Sequence, residues 1–254
     1  MLARHPRYRR GLRLCHQRQL LFTRPATAHI RHERLLSTRS RHRGGTSPYR
    51  RSTCDAKTYP SPLAVYKACL TGRLPFIVLS HWDYDHYSRA RIDQALKDLL
   101  WVAPAGAVGP NTKRFADSLP RLIALSYGQK ATIGRLRLSW ATGPQDDRNN
   151  SGIIARVRSG ERKILLTGDA SYAHIPADAQ SNLSAVSVPH HASARDAAAV
   201  PDPLGPKPRA IVSCGIPNRY GHPSASVLDS HTTAGWTVQV SGRVPGYRRG
   251  NKQF

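Results

Sequence analysis

Residues 81 to 86 read HWDYDH, which places His81, Asp83, Asp85 and His86 within six positions. Imidazole nitrogen and carboxylate oxygen are ligands for divalent zinc, manganese or iron. In a tight loop alternate residues point the same way. His81 and Asp83 can therefore serve one ion, while Asp85 and His86 serve a neighbour. The competing reading is a polar loop whose His and Asp merely pair with one another, and four potential ligands in six positions argue against it. Two later stretches carry the same chemistry. KILLTGDAS sets Asp169 after three apolar residues, a Thr and a Gly, where a carboxylate can bridge two ions. SVPHHAS sets His190 and His191 after another apolar run. A lone Asp after a strand is ordinarily a turn or cap residue. Three such sites in one chain make coincidence a poor explanation.

The elements that must position these groups are legible around them. LPFIVLS (74 to 80) is an apolar run that reads as a buried strand, so the HWDYDH cluster falls in the loop at its end. Sites of α/β proteins sit at such edges. The spacing of Ile92, Ala95, Leu96, Leu99 and Leu100 predicts a helix, and so, more weakly, does residues 110 to 126. SPLAVYKACLTG (61 to 72) suits a short helix. Alternation at Leu136, Leu138 and Trp140 predicts a hairpin strand, and SGIIARVRSGERKILLTGDA predicts two strands around SGER. AVSV, RAIVS and WTVQV read as further strands, and PSASVLDSHTTAG as a helix between the last two. Strands alternating with helices and hairpins imply an α/β chain of sheets covered by helices.

Composition divides the chain. Its 254 residues carry a formal net charge of +24, and residues 1 to 60 hold 15 Lys and Arg against two acidic residues. That Arg- and Ser-rich stretch shows no sustained period of 2 or 3.6. It is expected to be a largely disordered basic arm or a displaced start, with the folded domain running from 61 to 254. The four cysteines, Cys15, Cys54, Cys69 and Cys214, form no CxxC and suggest neither a zinc knuckle nor a disulfide framework. No apolar run reaches the length of a membrane span, and the N-terminus lacks a signal-peptide apolar segment. The expectation is a cytoplasmic protein.

In order, the chain contains SHWDYDH, NNSGIIARV, LLTGDA, PHHAS and NRYGHPSASVL. This series resembles the metallo-β-lactamase superfamily. More narrowly it is similar to the hydrolase domain of the DNA-uptake competence protein ComEC and its stand-alone relatives. The resemblance covers roughly residues 74 to 242 and implies an αββα sandwich with a two-metal cleft at one edge. It implies that His81, Asp83, Asp85, His86, Asp169 and one of His190 and His191 hold two divalent ions, zinc or manganese. Asn218, Arg219 and His222 match the distal motif beside the substrate, and Tyr220 and Pro223 shape that loop.

The implied chemistry is hydrolysis by a water acidified between two ions, with Asp85 and His222 as catalytic groups. A phosphodiester, nucleic acid included, is the expected substrate. Alternatives are a lactone, thioester or β-lactam hydrolase, or a non-catalytic basic protein that binds nucleic acid. The chain departs from the superfamily pattern at Asp83, where a second His is usual. It has no His between His86 and His174, and Ala192 stands where Gly is common. No D-x-G turn precedes His81, so the first sheet is expected to lack its opening strands or to have them displaced.

Overall fold

The computed structural model describes residues 13–15, 18–24, 27–33, 76–88, 90–91, 93–106, 109–194, 199–214, 218, 220–242, 244–246, 248–249 and 252–253. β4 (Phe76–Val78), β5 (Leu100–Pro104) and β6 (Leu122–Leu125) form a parallel three-stranded sheet. The larger sheet begins with three antiparallel partners, β7 (Ala131–Ile133), β8 (Leu136–Trp140) and β9 (Ile153–Ser159). It continues through β10 (Arg162–Leu166), antiparallel to β9. It is completed by parallel β11 (Ala185–Ser187), β12 (Arg209–Val212), β13 (Thr237–Val240) and β14 (Arg248–Arg249). Ser159 pairs with Arg162 across a two-residue turn in which Gly160 has φ +62°, a backbone hand that favours glycine.

Period-2 alternation explains how the two sheets stack. Leu136 and Leu138 of β8, Ile153, Ala155 and Val157 around β9, and Ile164 and Leu166 of β10 point to one side. There they meet Phe76, Val78 and Val102 of the smaller sheet in a common buried layer. On the far side of the larger sheet Ile154, Leu165, Val186, Ala210 and Val238 pack under α4 (Ala177–Gln180) and α5 (Ala225–Thr233). On the far side of the smaller sheet Ile77, Trp101 and Ala103 pack under α1 (Tyr84–Tyr87), α2 (Gln94–Lys97) and α3 (Pro110–Asp117). Helix, sheet, sheet and helix form four successive layers. This is the expected αββα sandwich.

Three expectations change. Residues 110 to 126 are not one helix. α3 stops at Asp117, Pro120 comes next, and Leu122–Leu125 pairs with β5, because proline cannot continue a helical hydrogen-bond ladder. The helix expected across 92 to 100 shrinks to α2, since the run Leu100–Val102 pairs with β4 instead. The basic arm holds β1 (Arg13–Cys15), β2 (Arg18–Arg24) and β3 (Thr27–Glu33), which form a separate sheet with β15 (Lys252–Gln253) in the order β15-β1-β3-β2. Backbone pairing from Arg18↔Glu33 to Arg24↔Thr27 supplies order that side-chain periodicity did not announce. β2 also lies beside β4, so strands do precede the metal-binding motif in sequence and approach the smaller sheet. The helix expected at 61 to 72 lies outside the described residues.

Candidate metal centre

Three connections converge on one edge of the sandwich. The first leaves β4. Leu79 N–H bonds to Val102 O at 2.9 Å and Ser80 O accepts from Ile153 N at 2.8 Å, so the turn into His81 is fixed from both sheets. Trp82 is buried and donates Nε1–H to Pro104 O at 2.8 Å. Tyr87 stacks on Phe115 and shares a hydrogen bond with Thr112 at 3.0 Å. These two aromatics clamp the ends of the loop, and His81 and His86 are left buried between them.

The second connection leaves β10. Gly168, at φ +62°, turns the chain so that Asp169 faces the loop of β4, while Thr167 Oγ1 donates to Ser187 O at 3.0 Å. The third leaves β11. His190, His191 and Ala192 take φ of 43°, 57° and 62° in succession. Consecutive left-handed residues other than glycine are strained, and such strain persists where the surrounding structure fixes it. Here Ala192 O accepts from Ser224 N at 2.8 Å, and His191 Nδ1–H donates to Ser213 O at 2.6 Å.

The Asp169 carboxylate is the focus. Its Oδ2 lies 3.3 Å from His86 Nε2, 3.7 Å from His81 Nε2 and 4.0 Å from His190 Nε2. Its Oδ1 lies 3.9 Å from His191 Nε2. Asp85 Oδ2 is 3.9 Å from His86 Nε2 and 4.0 Å from His191 Nε2, and Asp83 Oδ2 is 3.7 Å from His81 Nε2. Burial would raise the Asp169 pKa, but the fields of His86, His191 and His81, with a hydrogen bond from His86, hold it well below the usual carboxylate range. Asp83 is held low chiefly by its hydrogen bond with His81, with Arg148 adding to the effect through an ion pair of 2.9 Å.

The donor set fits metal ions. His81, His86 and Asp169 offer one close group of ligand atoms, and Asp85, His86 and His191 a second. Two donors at about 2.1 Å from a shared tetrahedral ion lie about 3.4 Å apart, close to the spacings here. His81 Nε2 and Asp169 Oδ1 are buried without a hydrogen-bond partner, a costly state that a cation relieves. The Nδ1 bond of His191 fixes its tautomer and leaves Nε2 aimed at the carboxylates.

Of the predicted site residues, His81, Asp83, Asp85, His86, Asp169, His190 and His191 are brought together. His191 is buried with its ring anchored, whereas His190 stands at the rim. His222 joins that rim, its ring 5.6 Å from His190 and 6.4 Å from His191. Asn218 Oδ1 accepts from the backbone N–H of Tyr220 and His222, at 3.0 and 3.2 Å, and its amide N–H donates to His222 O, which closes the loop around Tyr220. Arg219 lies outside the described residues.

Residue-type reasoning did not find Ser80, whose Oγ is 3.1 Å from His81 Nδ1 and 3.5 Å from His86 Nδ1. It also missed Arg148 and the backbone carbonyl of Ser213. The NNS stretch held a usable signal. Asn150 Oδ1 accepts from Ser171 N at 2.9 Å, and a Cβ on Gly152 would meet Ser80 O at 2.9 Å. That segment is pressed against two of the three connections.

No family model matches the chain, and no curated protein matches it. Solved structures do. An isothiocyanate hydrolase from Delia radicum gut bacteria superposes with a TM-score of 0.56 at 12% identity, over 96% of this chain and 98% of its own. The metallo-β-lactamase fold protein YhfI from Bacillus subtilis gives 0.47 at 13% identity, over 70% of this chain and 77% of its own. Zinc-bound PqqB from Methylobacterium extorquens gives 0.39 at 11%, over 70% and 73%. With its four layers and its edge cluster of His and Asp, the chain has the metallo-β-lactamase fold.

Proposed function

We propose that the chain is a metal-dependent hydrolase that holds two divalent ions, zinc or manganese, and cleaves phosphodiester bonds, with nucleic acid as the best candidate substrate. The observation that carries this reading is the set of four imidazole Nε2 atoms within 3.3 to 4.0 Å of the Asp169 carboxylate. In this reading His81, Asp83, Asp85, His86, Asp169 and His191 hold the ions and His190 lines the mouth. Bound ions of this kind supply Lewis acidity and an acidified water.

The residues of the chain do the rest. Ser80 and Ser213 O fix imidazole orientation. Asp85, partly open to solvent, can take a proton from an attacking water at the cleft. His222 can donate one to the leaving oxygen. Arg219 suits a non-bridging phosphate oxygen. The ordered motifs shared with the ComEC-like branch support the phosphodiester class, and a cytoplasmic location accompanies that reading. Among the described residues no helix is long and apolar enough to cross a membrane.

A second reading has an observation of its own. The structure matched over nearly the whole chain is named for hydrolysing an isothiocyanate, a carbon-centred electrophile. The test is protein loaded with zinc or manganese, assayed on single-stranded DNA, duplex DNA, RNA, a chromogenic diester, a lactone, a thioester and a β-lactam. Diester cleavage is expected, slowed about 100-fold in His222→Ala with metal content unchanged. Turnover of only the carbon-centred substrates refutes the phosphodiester assignment. Folded protein that takes up no metal refutes the hydrolase itself and leaves a basic nucleic-acid-binding protein.

A further inference from the structure

The outer face of the larger sheet holds a cavity of about 540 Å³ between β7, β8, β9 and α4. Its size falls in the range of small-molecule sites, about 300–1,000 Å³. None of its walls is a candidate metal ligand. Tyr127, Lys130, Arg137, Trp140, Arg156 and Asp178 give it its chemistry.

Arg137 and Arg156 are direct partners in the β8–β9 ladder. Their neighbours Leu138 and Ala155 face the layer between the sheets, so both guanidinium groups project from the outer face. Like charges directly opposed across two strands repel, and an anion between them removes the cost. Asp178 does not serve this purpose fully. Its carboxylate is 4.0 Å from Arg156 and largely open to solvent. Lys130 and Arg137 have no acidic partner within 4.0 Å among the described residues.

Beside these cations Tyr127 and Trp140 form an aromatic pair with ring centroids 5.2 Å apart. The Trp140 indole N–H is buried and meets no acceptor. A buried donor without an acceptor costs free energy that a ligand atom can return. Phosphate geometry suits the paired guanidinium groups, and a planar ring suits the aromatic wall.

We propose that this cavity is a binding site for a nucleoside monophosphate, separate from the metal centre. The phosphate lies between Arg137 and Arg156 with Lys130 close by. The base lies against Tyr127 and Trp140, and one of its acceptor atoms receives the indole N–H.

Calorimetric titration of the purified protein with AMP, adenosine and inorganic phosphate, before and after EDTA, tests the proposal. AMP should bind saturably at one site, and EDTA should not change its affinity. Adenosine and phosphate should each bind at least about tenfold more weakly, because each lacks half of the recognition. Arg137→Gln should weaken AMP about tenfold or more, Trp140→Phe should weaken it less, and Asp169→Asn should leave it unchanged. Circular dichroism confirms that each variant is folded. The absence of saturable AMP binding overturns the proposal. So does inorganic phosphate binding as tightly as AMP, which would mark a bare anion site. AMP binding that is lost in Asp169→Asn but kept in Arg137→Gln also overturns it, by locating the ligand at the metal centre.

Discussion

Replacing Asp169 with Asn preserves the size of the side chain and removes its charge. The carboxylate is buried and faces four imidazole Nε2 atoms within 4.0 Å. A unit charge pair at 4 Å and an effective dielectric constant near 20 is worth about 4 kcal/mol. That corresponds to about a thousandfold in affinity. A divalent ion held directly by the carboxylate loses at least this much, and both ions are affected if Asp169 bridges them. The assay is equilibrium dialysis against buffered zinc or manganese, with ions per chain counted by mass spectrometry. Asp117→Asn, on the exposed face of α3, serves as control and should change nothing. A thermal melt establishes that the variant is folded. Asp169→Asn protein that is folded and retains its ions within about threefold of the parent affinity would refute the reasoning, because the carboxylate would then be a structural acid and not a ligand.

The two adjacent histidines should separate in the same assay: His191→Ala should lose metal about 100-fold more than His190→Ala, since only His191 is buried and anchored on Ser213, and equal losses would count against this assignment. His231 is buried, donates Nδ1–H to Val227 O at 2.7 Å and pairs through Nε2 with Tyr172 OH at 2.8 Å. Burial depresses its pKa, so the unfolded chain binds the proton first. Stability from this group is complete above about pH 6.5 and falls below it, by at most about 1.4 kcal/mol per pH unit. Denaturant melts at fixed metal content should show His231→Gln with a shallower loss between pH 7 and 5, and parallel profiles would exclude the effect. A chain beginning at Ser61 should keep its fold and metal stoichiometry, because the described core layers draw on residues from Phe76 onward. Its unfolding would show that β2 beside β4 is essential to the sandwich.

The site was more legible than the fold around it. His81, Asp83, Asp85, His86 and Asp169 announced themselves because each lies just beyond an apolar run, and strands that share a sheet edge bring their trailing loops together. Distinguishing His190 from His191 was beyond residue type, since the difference lies in three left-handed backbone positions and one carbonyl of a distant strand. Ser80 was hidden for the same reason: a serine beside a histidine is common, and only the fold places its hydroxyl near two rings. The failures in the fold were competitions between local spacing and tertiary pairing. Leu100 and Trp101 fit a helical stripe, yet β4 offered them a ladder and two buried faces. The strands at 13 to 33 depend on pairing partners as remote as Lys252 and Gln253, which no local pattern encodes.

The histidine at 86 and the carboxylate at 169 meet across 83 positions of chain, one rooted in the smaller sheet and the other in the larger. Closing a loop of that length costs an unfolded chain about 4 to 5 kcal/mol of entropy. An ion gripped by both is therefore a clasp between the two halves of the sandwich. It can form only after the layers have docked, so metal uptake should come late in folding. Once in place, the ion should slow their separation more than it speeds their meeting.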